Sequence, residues 1–428
     1  MADLRETLNH AKERLTKPTD IQFVQRFLDH GIRHVVTVPC SITATVDPIW
    51  SDHAKAGEME YWKMVNEHSL VGVASGVYFG TGELALAHMQ NSGIGNALDG
   101  FVSFAGVYKI PTLAVATWRG NDERDDSEPH QEIGKRTNKL TKDVVDKKSI
   151  FGERSGRGIL RQIDEAVLWA REGNQSLIRL SPDAFKKTYL LVLPEVEGTE
   201  YLPIDHRLEV LRASKGDSMD AVFGRNRISR DEALREIVSL NDKAAIIFSN
   251  GFTAREAQEK ADRLGNFYNA GYMGGGLAIG WGLAKSNPDI KVIVVDGDQN
   301  AEMGKMHEIL ANDYPDNLHW FILDNGFGTS VGVSRSVPLP WWYYDLAHVI
   351  RTVPDMPGEF RAPRVGGRGI YFDMREAIEM AERVGPLPVH AMRFRHWISI
   401  TAEENRHLQG LLNKMGEELN EQIPRIFP

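Results

Sequence analysis

Val292-Ile293-Val294-Val295-Asp296-Gly297-Asp298-Gln299-Asn300 opens on four β-branched residues and closes on a turn rich in oxygen donors. Phe321-Ile322-Leu323-Asp324-Asn325-Gly326-Phe327 repeats the plan. Short apolar runs of this kind predict buried strands. The two turns deliver Asp298 and Asn325, 325 − 298 = 27 positions apart. That interval suits a strand, a crossover helix and a second strand of a parallel sheet. Open α/β sheets bind ligands outside the carboxyl ends of such strands. Asp298, Asn325 and the Phe327 carbonyl are hard oxygen donors, and with two phosphate oxygens and water they would complete an octahedral magnesium site. Polar strand-end turns are also ordinary in nucleotide folds, because Asp and Asn form turns readily.

The rest of the chain extends the α/β pattern in both directions. Thr19 to His30 reads as an amphipathic helix capped by Thr19 or Asp20. Strands are expected at His34–Val38, Leu84–Met89, Thr112–Thr117 and Ser176–Leu180, with a small-residue helix over Glu67–Tyr78. Pro194, Pro203, Gly216 and Gly224 make 191–230 read as a linker. That leaves one domain at 1–190 and a second at 231–428. In the second, Ala245–Ser249 is a strand, Gly274–Ala284 a glycine-rich helix and Pro388–Phe394 a last strand. The Trp341–Arg368 stretch is an aromatic and basic insertion, either a lid or an oligomer contact. Leu408, Leu411, Leu412, Met415 and Leu419 fall at helical spacing on a tail helix suited to docking.

Composition narrows the class. A chain of 428 residues with 25% charged residues is long enough for two or three globular domains. Its net charge of −9 gives no reason to expect nucleic acid as a partner. The single cysteine, Cys40, excludes a disulfide framework. There is no long apolar run for a membrane span, and the charged start Met1-Ala2-Asp3-Leu4-Arg5-Glu6 has no apolar signal core, so a cytoplasmic enzyme is expected.

A magnesium-diphosphate turn followed after a helix by an Asn resembles the thiamine diphosphate motif, with Gln299 where that motif has a third Gly. Such a site needs a carboxyl group against the aminopyrimidine ring nitrogen. Glu67, after Asn66 and before a small-residue helix, fits, although a helix-terminal Glu is also favoured by the helix dipole alone. Gly271-Tyr272-Met273-Gly274 offers glycines for close approach to a flat ring and a soft support in Met273, which core packing would equally use. Met89-Gln90-Asn91-Ser92-Gly93-Ile94-Gly95-Asn96 is a polar turn after a strand.

In this order, these segments resemble the thiamine diphosphate-dependent phosphonopyruvate and sulfopyruvate decarboxylases. The likeness runs through Val38 to Ser41, Asn66-Glu67, Met89 to Asn96, Trp118-Arg119-Gly120, Met273-Gly274, Asp296 to Asp298 and Leu323 to Gly326. It implies two thiamine-diphosphate-binding-fold domains, each a parallel sheet flanked by helices. It also implies decarboxylation of a short anionic 2-oxo acid to the aldehyde, with the thiazolium accepting the electron pair. Glu67 would activate the cofactor. Gly271, Met273, Gly297, Asp298, Gln299, Asn300, Asn325 and Phe327 would hold cofactor and magnesium, with Asn91 contributing. Ser41, Gln90, Asn91 and Arg119 would take the distal anion, and His68 and His130 would move protons. His130 sits in the acid-rich Asn121–Glu132 stretch, where a solvated surface histidine is equally open. The resemblance also implies a homodimer or larger homo-oligomer, with each site between the first domain of one subunit and the second domain of another. Departures at Gln299, Phe327–Gly332 and Pro129-His130-Gln131 keep carboligation, or a different 2-oxo acid, open; a non-catalytic thiamine-fold subunit is the other alternative, against which the presence of Glu67, Asp298 and Asn325 argues.

Overall fold

Thr19 starts the first element. Its hydroxyl accepts from the Gln22 N–H at 3.1 Å, and the Gln22 carboxamide accepts from the Thr19 N–H at 2.9 Å. This capping box launches α1 (Asp20–Asp29). The chain continues through β1 (His34–Thr37), α2 (Val46–Lys55), β2 (Glu60–Lys63), α3 (His68–Thr81), β3 (Ala85–Gln90) and α4 (Ile94–Asp99). A π-helical stretch, Gly100–Gly106, leads to β4 (Thr112–Thr117), then α5 (Glu128–Val144), β5 (Ile150–Phe151), α6 (Ile159–Arg171) and β6 (Gln175–Leu180). The six strands form one wholly parallel sheet in the order β2-β1-β3-β4-β6-β5. These findings come from a computed structural model that describes residues 17–121, 126–152, 158–188, 228–325, 327–328, 334–335, 339, 343–351 and 387–426.

A second unit repeats the plan. It contains α7 (Arg230–Ser239), β7 (Ala245–Phe248), α8 (Phe252–Lys260), β8 (Asn266–Tyr268), α9 (Gly276–Ser286), β9 (Val292–Gly297), α10 (Asp298–Met303) and β10 (Leu318–Asp324). A two-residue ladder joins β11 (Phe327–Gly328) to β12 (Ser334–Arg335), before β13 (His348–Arg351) and the long α11 (Leu387–Ile426). Its main sheet is parallel, ordered β13-β10-β9-β7-β8. The α/β class with two parallel sheets is therefore the observed architecture. Gly297 pairs with Leu323, so Asp298 and Asn325 lie one and two residues past the last paired position of adjacent strands.

The two units share a core through α3 and α9. Val73, Val77 and Phe79 belong to the same buried cluster as Phe267, Ile279 and Trp281. The helices touch backbone to backbone. A Cβ on Gly76 would sit 2.2 Å from the Ile279 carbonyl oxygen, and one on Gly282 would sit 2.3 Å from the Val73 carbonyl oxygen. The contact is reciprocal: each glycine admits a carbonyl three residues before the partner glycine. A separate cluster built on Phe23, Phe27, Trp50, Ile163 and Val167 packs α1, α2 and α6 on the first sheet.

Two expectations meet a different outcome. Pro388–Phe394 is not a strand but the first two turns of α11. Pro388 is tolerated there because the first turn needs no amide donor. Ala391, Phe394, Ile398 and Ala402 then form a buried stripe at helical spacing. Part of the Trp341–Arg368 insertion is β13, an edge strand of the second sheet. The expected linker lies largely outside the described residues, as do 352–386.

Gly76→Ala should cost about 1–3 kcal/mol, because the added methyl meets backbone that must move. A urea midpoint equal to that of the parent chain would reject the backbone contact.

Candidate functional site

Four turns follow four neighbouring strands at the carboxyl edge of the first sheet. Glu67 lies beyond β2, Ser41 beyond β1, Gln90 to Asn96 at the end of β3, and Arg119 beyond β4. Glu67 stands where α3 begins, yet does not cap it. Asn66 does so: its Oδ1 accepts from the Ser69 N–H and from the Ser69 hydroxyl, each at 3.2 Å. The Glu67 carboxylate turns instead to α4, where Oε2 accepts from Asn96 Nδ2 at 2.8 Å. Gly93 makes the room. A Cβ there would lie 2.3 Å from Glu67 Cγ and 2.4 Å from its Cδ and Oε1.

The second unit arrives on the same short helix. Asp99, three positions after Asn96, accepts the Met273 N–H at 3.0 Å through Oδ2. Residues three apart share a helix face, so α4 links the Glu67 end to the Met273 end. Met273 is 51% exposed, an unusual placement for an apolar side chain beside a buried core. Gly274 has φ +70°, and a Cβ on it would lie 2.6 Å from the Gly304 nitrogen. Gly271 packs on the Ser103 carbonyl. The His68 ring is 4.7 Å from that of Tyr272, whose hydroxyl donates to the His68 carbonyl. Burial pushes His68 below the usual histidine range, and the Asp99 charge opposes that shift. Within one chain, α4 and the crossing of α3 with α9 bring the Met273 turn up to the first unit.

At the opposite end, Asp298 begins α10 and its Oδ1 accepts the Gln299 N–H at 3.0 Å. Asn300 ties two other turns to this one. Its Oδ1 accepts the Gly274 N–H at 2.9 Å and its Nδ2 donates to the Asn250 carbonyl at 3.1 Å. Gly297 has ordinary strand geometry (φ −79°), and a Cβ on it would make only normal contact with Thr253. Among the described residues, no three His, Cys, Asp or Glu side chains converge as a metal site. The donors here are a carboxylate (Asp298), a carboxamide (Asn325) and the Phe327 carbonyl, a set that phosphate oxygens could complete.

The distal end is denser than the sequence suggested. Arg119 donates from Nε and Nη2 to Asp126 at 3.0 and 2.8 Å, and from Nη1 to Ser41 Oγ at 3.2 Å. His130 Nδ1 lies 3.0 Å from Asp126 Oδ1 and 2.7 Å from Ser127 Oγ. The Arg119 guanidinium, followed by the Ser127 N–H and His130, holds the Asp126 carboxyl far below the usual carboxylate range. His130 is 27% exposed and hydrogen-bonded within this cluster. Gln90 donates to Ser92 Oγ at 2.5 Å and accepts from Cys40 Sγ at 3.4 Å. Asn91 needs correction as a ligand contact. It is fully buried, its Nδ2 donates to the Arg119 carbonyl and Thr137 Oγ1, and its Oδ1 accepts the Arg119 N–H. It holds the Arg119 turn in place. Sequence reading missed Asn96, Asp99 and Asp126; only the Asn96 position had a signal, as the end of the polar Met89–Asn96 turn.

An acid on one unit, an exposed methionine and glycine turn on the other, and an oxygen-donor turn beyond them fit a thiamine diphosphate enzyme. A family model described as the thiamine pyrophosphate enzyme N-terminal TPP-binding domain matches residues 20–140. Phosphonopyruvate decarboxylase of Streptomyces hygroscopicus is 30% identical over 316 residues, 72% of this chain and 73% of that one. Sulfopyruvate decarboxylase of Methanosarcina acetivorans is 26% identical over 318 residues, 74% and 77% of the two chains. The chain belongs to the family of thiamine-dependent phosphonopyruvate and sulfopyruvate decarboxylases, which are carboxy-lyases. A solved structure from Mycobacterium smegmatis, reported as a candidate thiamin diphosphate-dependent enzyme, superposes with TM-score 0.56 at 11% identity. It covers 79% of this chain and 100% of its own, and it supports the fold alone. No helix among the described residues is long and apolar enough to cross a membrane.

Gly93→Ala should leave stability nearly unchanged, because a flexible glutamate can yield, but it displaces the Glu67 carboxylate. Thiamine-dependent turnover should fall by about a hundredfold. Full turnover in a folded Gly93→Ala protein would disprove the cradle.

Proposed function

We propose that this enzyme decarboxylates a short 2-oxo acid carrying a distal anionic group, of the phosphonopyruvate or sulfopyruvate kind, with thiamine diphosphate and magnesium. The observation that carries the reading is the single helix α4. Through Asn96 and Asp99 it holds the Glu67 carboxylate and the Met273 loop on one face. When bound, thiamine diphosphate supplies a thiazolium that accepts the electron pair left as carbon dioxide departs.

The chain's own groups do the rest. Glu67 would bond the ring nitrogen of the aminopyrimidine and share a proton with it. The Gly271 carbonyl would accept from the cofactor's amino group, and Met273 would support the cofactor. Asp298, Asn325 and the Phe327 carbonyl would hold magnesium, with Gly297 and Gln299 in the diphosphate turn and Asn300 bracing that turn. Arg119 Nη1, Ser41 and Gln90 receive the distal anion through charge-assisted and neutral hydrogen bonds. One proton must reach the carbon that loses carbon dioxide before the aldehyde leaves. His68 stands on the Met273 side and His130 on the Arg119 side as its carriers. Association of copies belongs to the same reading, since Leu98, Val102 and Val107 remain 42–43% exposed along one stretch beside the site.

Glu67→Gln should retain magnesium-dependent binding of thiamine diphosphate by calorimetry while carbon dioxide release falls on the order of 10²- to 10⁴-fold. Undiminished release would reject the role of Glu67. A panel of 2-oxo acids, assayed with and without an added aldehyde, separates decarboxylation from carboligation. Binding of thiamine diphosphate that ignores magnesium would remove the metal from the reading.

A further inference from the structure

Asp126 is one carboxylate with four donors around it. Oδ2 accepts Arg119 Nε at 3.0 Å. Oδ1 lies 2.8 Å from Arg119 Nη2, 2.8 Å from the Ser127 backbone nitrogen and 3.0 Å from His130 Nδ1. The three side chains are largely covered, with 22, 17 and 27% exposure for Arg119, Asp126 and His130. The Asp126 carbonyl also accepts from Gln131 Nε2 at 2.7 Å, which pins its backbone to the first turn of α5.

Two consequences follow from this geometry. An ionised carboxylate can only accept, so His130 places its proton on Nδ1 and leaves the Nε2 lone pair as its reactive face. Ser127 Oγ, 2.7 Å from the same nitrogen, shares that proton. Asp126 takes the Nε–Nη2 side edge of Arg119 and Ser41 Oγ takes one N–H of Nη1, which leaves one N–H on each Nη for a substrate anion. A guanidinium gripped in this way is oriented before the anion arrives.

We propose that Asp126 is a positioning residue that orients both the anion-binding Arg119 and the proton-carrying His130. The proposal rests on the decarboxylase reading for its kinetic half only. A single carboxylate thereby couples recognition of the distal group to the tautomer of the histidine: removing it disturbs both together. Asp126 touches neither substrate nor cofactor; it acts through its two partners.

The test uses the full chain loaded with thiamine diphosphate and magnesium. Nitrogen-15 spectra of the histidine rings should show His130 as the Nδ1–H tautomer in the parent protein and lose that signature in Asp126→Asn. With the best 2-oxo acid of the panel, Asp126→Asn should lower kcat by about 10- to 100-fold and raise KM as well. His130→Gln should lower kcat alone, and the double variant should have the kcat of the poorer single one. Asp126→Glu should recover part of both losses. An Nε2–H tautomer in the parent protein, or kcat losses that multiply in the double variant, would overturn the proposal. If the parent protein decarboxylates no member of the panel, the functional reading fails, and the spectra alone then decide whether Asp126 sets the tautomer.

Discussion

Backbone contact between α3 and α9 is the constraint on which the other positions depend. Two glycines, Gly76 and Gly282, each admit a carbonyl of the opposite helix. No side chain can be inserted there, so the helices cannot slide without losing contact along their whole buried faces. Each helix begins at the site. Glu67 opens α3, and the Met273-Gly274 turn precedes α9. Fixing the crossing therefore fixes the gap between the acid and the methionine. The short α4 spans that gap with two polar side chains of one face.

Much of this was legible in the residues. The runs ending at Asp298 and Asn325 are β-branched or aromatic without interruption, and a 27-residue interval leaves space for little but a crossover. The pairing of Gly297 with Leu323 follows. The placement of Glu67 at a helix start was legible because the helix that follows, with Leu70, Val71, Val73 and Val77 among small residues, is too apolar to face water. Pro388–Phe394 was misread because a short apolar run after a proline has no decisive period; four more residues, to Ile398, would have shown the helical stripe. Asp126 was beyond reach. Asp122, Glu123, Asp125 and Asp126 are four acids in five positions, and nothing in that run marks Asp126 as a partner of Arg119. Asn91 looked like a ligand group because its amide is polar, yet polarity does not reveal whether the protein itself satisfies it.

The two ends of the site differ in electrostatic character. At the Glu67 end the carboxylate meets a neutral amide and a glycine. At the Arg119 end opposite charges are already paired, and the carboxylate there is held ionised by its guanidinium partner. Under the proposed function, a substrate anion at that end would meet an ion pair whose orientation is already set, which limits the reorganisation required on binding.

The helix crossing also sets an angular tolerance. Glu67 lies 76 − 67 = 9 positions from the contact at Gly76, a lever of about 13.5 Å at 1.5 Å per residue. A swing of about 2° would then carry the carboxylate about 0.5 Å, roughly the error a preorganised site can absorb. The other arm, from Gly275 to Ile279, is about 6 Å, so the same swing moves Met273 less than half as far. The far end of α3 is braced in turn: the Phe79 ring sits edge-on to Phe394 of α11 at 5.4 Å, and Phe394 lies 5.2 Å from Phe267. The carboxy-terminal helix thus acts on the acid at the opposite end of α3 by damping rotation, without approaching it.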